Sequence, residues 1–203
     1  MKNMISFFDL DSTLADSLPI FLYEVAKDLG VPTPHPNKVK DYYAIQEAFT
    51  GLIEENTFSE AFQNAILSEK ICKAIPIYEN AVRAVNEILK FSEFGGYITA
   101  RDNNLCTPSV WWAEKNNLPF SNEVYCSADK IKTINEIVEK KNFTGKIVLW
   151  DDHPKHIKKA TENNFYGVLV SQPYNMDYEN KYRISPNWNI KTLRNILCEI
   201  SNE

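Results

Sequence analysis

The chain has 203 residues, 44% of them hydrophobic and 24% charged, with a formal net charge of −5. Those figures fit one compact domain, or a core carrying a modest insertion, and they exclude a disordered, collagenous or coiled-coil protein. The acidic balance offers no general attraction for a nucleic-acid polymer or an anionic membrane surface, and the longest apolar stretches, such as Ile147 to Trp150, fall far short of the ~20 residues a bilayer crossing needs.

The first apolar run, Met4 to Asp9, reads as a strand that ends in acids, Asp9 and Asp11. Acids so early do not fit a secretory signal, so a soluble, cytoplasmic protein is expected, with no membrane partner. From about Ser17 to Ile75 the pattern is helical: Leu18 to Leu29, a piece around Tyr42 to Phe49, and Phe58 to Ser68, joined by the Pro-rich turn Val31-Pro32-Thr33-Pro34-His35-Pro36. No strand is evident there. Residues 17–75 are therefore expected to form a helical cap, inserted after the first strand into a core made of residues 1–16 and 76–203.

Beyond residue 76, short apolar runs alternate with amphipathic stretches. Glu79 to Phe91 carries Val82, Ala84, Val85, Ile88 and Leu89 at helical spacing, and Thr107 to Asn117 and Lys130 to Lys141 behave similarly. The runs between them are Gly96 to Ala100, Glu123 to Ser127, Lys146 to Asp151 and Tyr166 to Ser171. With the first run they predict an α/β fold, a doubly wound, Rossmann-like parallel sheet of about five strands. Cys72, Cys106, Cys126 and Cys198 show no metal-ligand spacing and are expected as free, mostly buried thiols.

In an open parallel sheet, ligands lie beyond the carboxyl ends of the strands. Polar groups gather at four such ends: Asp9 and Asp11, Thr99, Lys130, and Asp151 with Asp152. A single acid after a strand is usually a turn former or a helix cap. Four coincidences on one rim point to a site. Crowded carboxylates call for a hard divalent cation such as Mg2+, and the cation, a lysine and a hydroxyl together suit a phosphoryl group. One free carboxylate could then attack phosphorus while a second moves the proton.

Phe8-Asp9-Leu10-Asp11-Ser12-Thr13-Leu14 resembles the first motif of the haloacid-dehalogenase superfamily, whose phosphatases use an aspartate nucleophile in an Asp-x-Asp-x-Thr loop. Tyr97-Ile98-Thr99-Ala100-Arg101 resembles the second motif, Asp129-Lys130 the third and Val148-Leu149-Trp150-Asp151-Asp152 the fourth. Ser12 stands where glycine is commonest. The resemblance implies that Asp9 is the nucleophile and a metal ligand, and that Asp11 is the general acid/base, its carbonyl also on Mg2+. It implies further that Thr99, Ala100, Arg101 and Lys130 hold the phosphate, that Asp152 is a metal ligand, and that Asp151 and Thr13 support these groups from behind. Arg101 has a second reading, as an ion-pair partner of Asp102 or a surface acid. Lys132 reads as solvated helix surface, and His153 and His156 as exposed residues of a first helical turn.

Val148 to Pro154, Gln172-Pro173-Tyr174-Asn175, Tyr182-Arg183-Ile184 and Pro186-Asn187-Trp188 resemble elements of the 5'(3')-deoxyribonucleotidases, as does Ile75 to Ala81. That family implies hydrolysis of a nucleoside monophosphate to nucleoside and phosphate. The cap aromatics Phe21, Tyr42, Tyr43, Phe49, Phe58 and Phe62 could stack on the base or simply form the cap's core. Thr99-Ala100-Arg101-Asp102 with Trp112 and Leu118-Pro119-Phe120 is also reminiscent of polynucleotide 3'-phosphatases, but a polymer end calls for a basic groove, and no stable nucleic-acid partner is expected. A receiver-like signalling domain would carry its phospho-acceptor on the third strand, which here ends in Cys126-Ser127. Helical caps often mediate dimers, which leaves a homodimer open.

Overall fold

The computed structural model describes every residue except Met1, Asp41, Ile53 and Glu54, and the backbone alone at residues 42–44, 55 and 56. Six strands form one sheet: β1 (Met4–Phe8), β2 (Glu93–Thr99), β3 (Val124–Cys126), β4 (Lys146–Asp151), β5 (Tyr166–Val170) and β6 (Tyr182–Ile184). Their order is β3-β2-β1-β4-β5-β6 and every pairing is parallel. The doubly wound α/β class expected from the alternation is the fold found. The sheet has six strands rather than five: β6, three residues paired at the edge beyond β5, is the additional one.

Among the described residues eight α-helices accompany the sheet: α1 (Ser17–Leu29), α2 (Glu55–Ile66), α3 (Glu69–Ala74), α4 (Ala81–Ile88), α5 (Cys106–Lys115), α6 (Lys130–Lys140), α7 (Pro154–Glu162) and α8 (Ile190–Asn202). In β1, alternate side chains part to opposite faces. Ile5 and Phe7 pack with Ile98, Leu149 and the apolar side of α6, including Ile131, Ile134 and Ile137. Met4 and Phe8 join Trp150, Val168 and Val170 in the larger core, which holds the buried faces of α4, α5 and α8. Gly95 lets β2 approach β1, since a Cβ there would sit 2.5 Å from the Phe7 ring.

Between β1 and β2 the described residues of 17–75 contain α1, α2, α3 and short 3-10 turns, and no strand. The Tyr42–Phe49 piece is a 3-10 helix. α1 stops at Gly30, whose φ of +67° suits a residue without a side chain, and whose N–H reaches the Lys27 carbonyl at 3.3 Å. The chain leaves the sheet and returns to it along a short zipped pair: Asp16 N–H donates to Pro76 O at 2.8 Å and Tyr78 N–H to Leu14 O at 2.9 Å. Phe49, Phe58 and Phe21 are buried in the same core as β1 and β4, so the helical segment packs on the sheet's carboxyl end. No helix among the described residues is long and apolar enough to cross a membrane.

Candidate active site

The order β3-β2-β1-β4 reverses winding direction beside β1, which opens a crevice where β1 and β4 end. Phe8 pairs with Trp150 in register, so Asp9 and Asp151 emerge side by side, and Asp9 N–H is tied to Trp150 O at 2.9 Å. Above this end lies a cavity of about 630 Å3. Asp9, Asp11, Thr99, Ala100, Arg101, Lys130, Asp151 and Asp152 all line it. Thr13 is buried just behind.

Lys130 starts α6 yet turns inward and is 3% exposed. Its ammonium donates to Asp9 Oδ1 at 2.6 Å and to Asp151 Oδ2 at 2.7 Å. Burial works against that charge, but Asp151 and Asp9 outweigh it and hold the lysine above its ordinary value. Asp151 is also met by the His156 Nδ1 at 3.1 Å and the His153 N–H at 2.8 Å. Burial alone would push its carboxyl up; Lys130 and His156 reverse that and keep it well below the usual range. Asp151 is thus already neutralised.

Asp152 has no such cation. Thr13 Oγ1 donates to its Oδ1 at 2.9 Å, the Tyr174 hydroxyl donates to Oδ2, and Asn175 Nδ2 holds its backbone carbonyl at 2.6 Å. Burial, then Asp151 and Asp9, raise its carboxyl well above the ordinary value. Burial likewise lifts Asp9 to about 6, against the pull of Lys130 and with the push of Asp151 and Asp11. Ligand oxygens of Asp9, Asp151 and Asp152 all lie within 4.8 Å of one another. This donor set suits a hard divalent cation: all oxygen, buried, and carrying more negative charge than its lysine balances. Because Asp151 is satisfied by Lys130 and His156, Asp9 and Asp152 are the carboxylates that a cation would relieve.

Arg101 pairs neither with Asp102 nor with a surface acid. Its Nε donates to Asp11 Oδ2 at 2.7 Å and its Nη2 to Asp11 Oδ1 at 2.8 Å. Its own backbone N–H donates to Thr99 Oγ1 at 3.3 Å. Ser12 takes the turn without glycine: its φ is +56°, its N–H donates to Ser17 Oγ at 3.0 Å, and its carbonyl accepts from Gln172 Nε2 at 2.5 Å. Lys132 is exposed as expected, 3.9 Å from Glu136.

The histidines differ from expectation. Both line the cavity and are half-buried, because His153 caps α7 directly after the acidic pair and the first turn brings His156 back to Asp151. The Gln172-to-Asn175 loop, to which the sequence reading assigns no individual role, lies against the site through Tyr174 and Asn175. It forms a 3-10 turn with a reciprocal cap between Gln172 and Asn175, and Arg183 Nη1 braces Asn175 Oδ1 at 3.1 Å. Among the described cysteines all four are free, with Cys72 buried, Cys106 and Cys126 half-buried and Cys198 exposed.

The helical segment's share of the cavity lining combines apolar side chains, among them Phe21, Phe58, Phe62 and Ile66, with the polar Gln46, Ser59 and Gln63. Phe58 lies between Phe49 and Phe62, ring centres 5.4 Å apart on each side, with the Phe62 plane within 16° of its own. Phe49 is fully buried core, and the side chains of Tyr42 and Tyr43 lie outside the described residues.

No family model and no curated protein matches the sequence. Solved structures do. A haloacid-dehalogenase-like hydrolase from Streptococcus pneumoniae superposes with a TM-score of 0.67 at 17% identity, over 94% of this chain and 97% of that one. The protein tyrosine kinase A of Mycobacterium tuberculosis gives 0.67 at 16% identity, over 97% and 98%. A protein described as a predicted phosphoglycolate phosphatase, from Haemophilus somnus, gives 0.64 at 14% identity, over 95% and 98%. At such identities the similarity concerns architecture, and the chain has the Rossmann-like fold of the haloacid-dehalogenase-type hydrolases.

Proposed function

We propose that the protein is a magnesium-dependent phosphatase that hydrolyses nucleoside monophosphates through an aspartyl-phosphate on Asp9. One observation carries the reading: a single cavity joins a buried carboxylate cluster, bridged by Lys130, to an aromatic roof built on Phe58 and Phe62. Residues 17–75 are read as the cap that supplies this roof. The neighbours named as hydrolases and phosphatases are consistent with the chemistry, and the substrate that one of those names carries, phosphoglycolate, is that protein's.

Asp9 attacks phosphorus and the ester P–O bond breaks, while Asp11, two residues on, passes to the departing alkoxide a proton it takes up as the substrate binds, since both its oxygens accept from Arg101 in this structure. Water then attacks the aspartyl-phosphate, Asp11 takes the proton, and the bond to Asp9 breaks to release phosphate. Thr99 and the backbone beside Ala100 receive phosphoryl oxygens, and Lys130 offsets charge on the acyl phosphate. Asp9, Asp152 and the Asp11 carbonyl would hold Mg2+, which supplies charge neutralisation of the phosphoryl oxygens. The planar base stacks on the aromatic roof. Lys130 and Arg101, the lysine and arginine of the cavity lining, are both committed to carboxylates, which leaves little to attract a polymer end.

A phosphate-release screen of all nucleoside monophosphates with magnesium tests the reading. The expected result is turnover that Asp9→Asn abolishes. Turnover that is faster on a 3'-phosphorylated oligonucleotide, or unaffected by Asp9→Asn, overturns it.

A further inference from the structure

The Arg101 side chain is 5% exposed and meets three separate parts of the chain. Nε and Nη2 grip both oxygens of Asp11 in the loop after β1, at 2.7 and 2.8 Å. Nη1 donates to Cys72 Sγ in α3 at 2.9 Å and to Ser109 Oγ in α5 at 3.0 Å. The guanidinium also lies 5.9 Å from the Trp112 ring centre, and Trp112 Nε1 in turn donates to Ile75 O at 2.7 Å, just after α3. The seat of this arginine is therefore made by the end of the helical segment and by α5.

We propose that Arg101 is a positioning residue for Asp11, carrying the placement of α3 and α5 to that carboxylate, and that it does not bind the substrate's phosphate. The inference rests on the phosphatase reading above. A planar fork closed on both carboxylate oxygens fixes the rotation of the carboxyl group, which a lysine cannot do. To reach a phosphate, the guanidinium would have to abandon Asp11 and leave that half-buried carboxylate without its cation, an expensive exchange. Its remaining nitrogen is held by Cys72 and Ser109, so α3 cannot shift without moving the group that orients Asp11. Thr99 and Lys130 are left to hold the phosphate.

The test compares wild type, Arg101→Lys, Arg101→Ala, Asp11→Asn and the double variant Asp11→Asn/Arg101→Ala on a small aliphatic phosphate ester, with inorganic phosphate as the inhibitor. Positioning predicts that Arg101→Lys and Arg101→Ala lower kcat by about tenfold or more, with KM and inhibition by phosphate unchanged, and that the double variant is no slower than Asp11→Asn alone. The double variant removes both charges and Arg101→Lys keeps the cation, so the result does not hinge on whether Arg101→Ala folds. Raised KM and weakened phosphate inhibition at preserved kcat would overturn the inference, as would losses that multiply in the double variant. A wild type that hydrolyses no phosphate ester overturns the phosphatase reading and this inference with it, whereas an active wild type with those other outcomes overturns this inference alone.

Discussion

The Lys130 ammonium lies 2.6 Å from Asp9 Oδ1, and the same nitrogen lies 2.7 Å from Asp151 Oδ2, so one buried cation holds the ends of β1 and β4 together. Removing it would leave two buried carboxylates facing each other, with His156 and the His153 N–H remaining on Asp151 and the Thr13 hydroxyl near Asp9. Lys130→Met should lose about 3–5 kcal/mol of stability, because an uncompensated buried charge costs far more than a surface pair is worth. Its turnover should fall by about 10²–10³-fold at a temperature where it is still folded, from loss of charge stabilisation at the acyl phosphate. Denaturant unfolding and kcat measured on the same preparation check both.

The raised carboxyl of Asp9 gives the metal-free protein a defined response to pH. Burial lifts it from 3.8 to about 6, so between those values the folded chain keeps a proton that the unfolded chain has lost. Stability from this group is then greatest below the window and falls as pH rises through it. A divalent cation competes with that proton. Magnesium should raise the melting temperature little near pH 5 and increasingly up to about pH 7, where the carboxyl is ionised. Melting curves across that range, with and without magnesium, would contradict the assignment if the increment were flat.

How far the sequence disclosed this arrangement depends on whether a residue's work is local. β4 was legible to the residue, since an apolar run bounded by a charge change needs no partner to be read. Lys130 was legible from its place after the third apolar run and from the resemblance carried by Asp129-Lys130. Tyr174, Asn175 and His156 were not assigned work, because their contacts with Asp152 and Asp151 cross between elements whose closeness only the sheet order sets. β6 was not legible either, since Tyr182-Arg183-Ile184 follows a loop rather than an amphipathic helix and so stands outside the alternation that marks the other strands. Arg101 shows the limit most clearly. Its position beside Thr99 suggested phosphate, and nothing in the local sequence indicated that Asp11, 90 residues away, would take its fork.

Tyr174 connects the loop after β5 to the metal ligand proposed here. Its hydroxyl donates to Asp152 Oδ2, while Thr13 donates to Oδ1. Tyr174→Phe keeps the ring and removes that donor, so Asp152 loses one of the two groups that fix its plane. Metal affinity should weaken by about 10–100-fold, as for other outer-shell partners of ligating carboxylates, with kcat at saturating magnesium much less affected. Activity titrated against magnesium concentration measures it.

The aromatic roof should matter in proportion to the flatness of what lies beneath it. Phe62 is half-buried against Phe58, with ring centres 5.4 Å apart, and faces the cavity. Stacking a base on an aromatic ring is worth about 1–3 kcal/mol, so Phe62→Ala should lower kcat/KM for a nucleoside monophosphate by about ten- to hundredfold. A small aliphatic phosphate ester, which has no ring to stack, should be cleaved as before. Equal loss on both substrates would mean that Phe62 only shapes the cap.

Trp188 joins the C-terminal part of the chain to the loop that carries Asp9 and Asp11. It is fully buried beside Trp150, with ring centres 5.8 Å apart, and its Nε1 donates to the Thr13 carbonyl at 3.1 Å. Trp188→Phe preserves most of the apolar contact but leaves that carbonyl without its donor, a loss of about 1–3 kcal/mol for a buried acceptor. The cost should appear in activity as well as stability, since Thr13 is the residue whose hydroxyl holds Asp152 and stands 3.5 Å from Asp9 Oδ2. Chemical denaturation should therefore show the shift, and kcat should fall at temperatures well below the new midpoint. Unchanged kcat in a destabilised Trp188→Phe would show that the β1 loop holds its shape without the C-terminal brace.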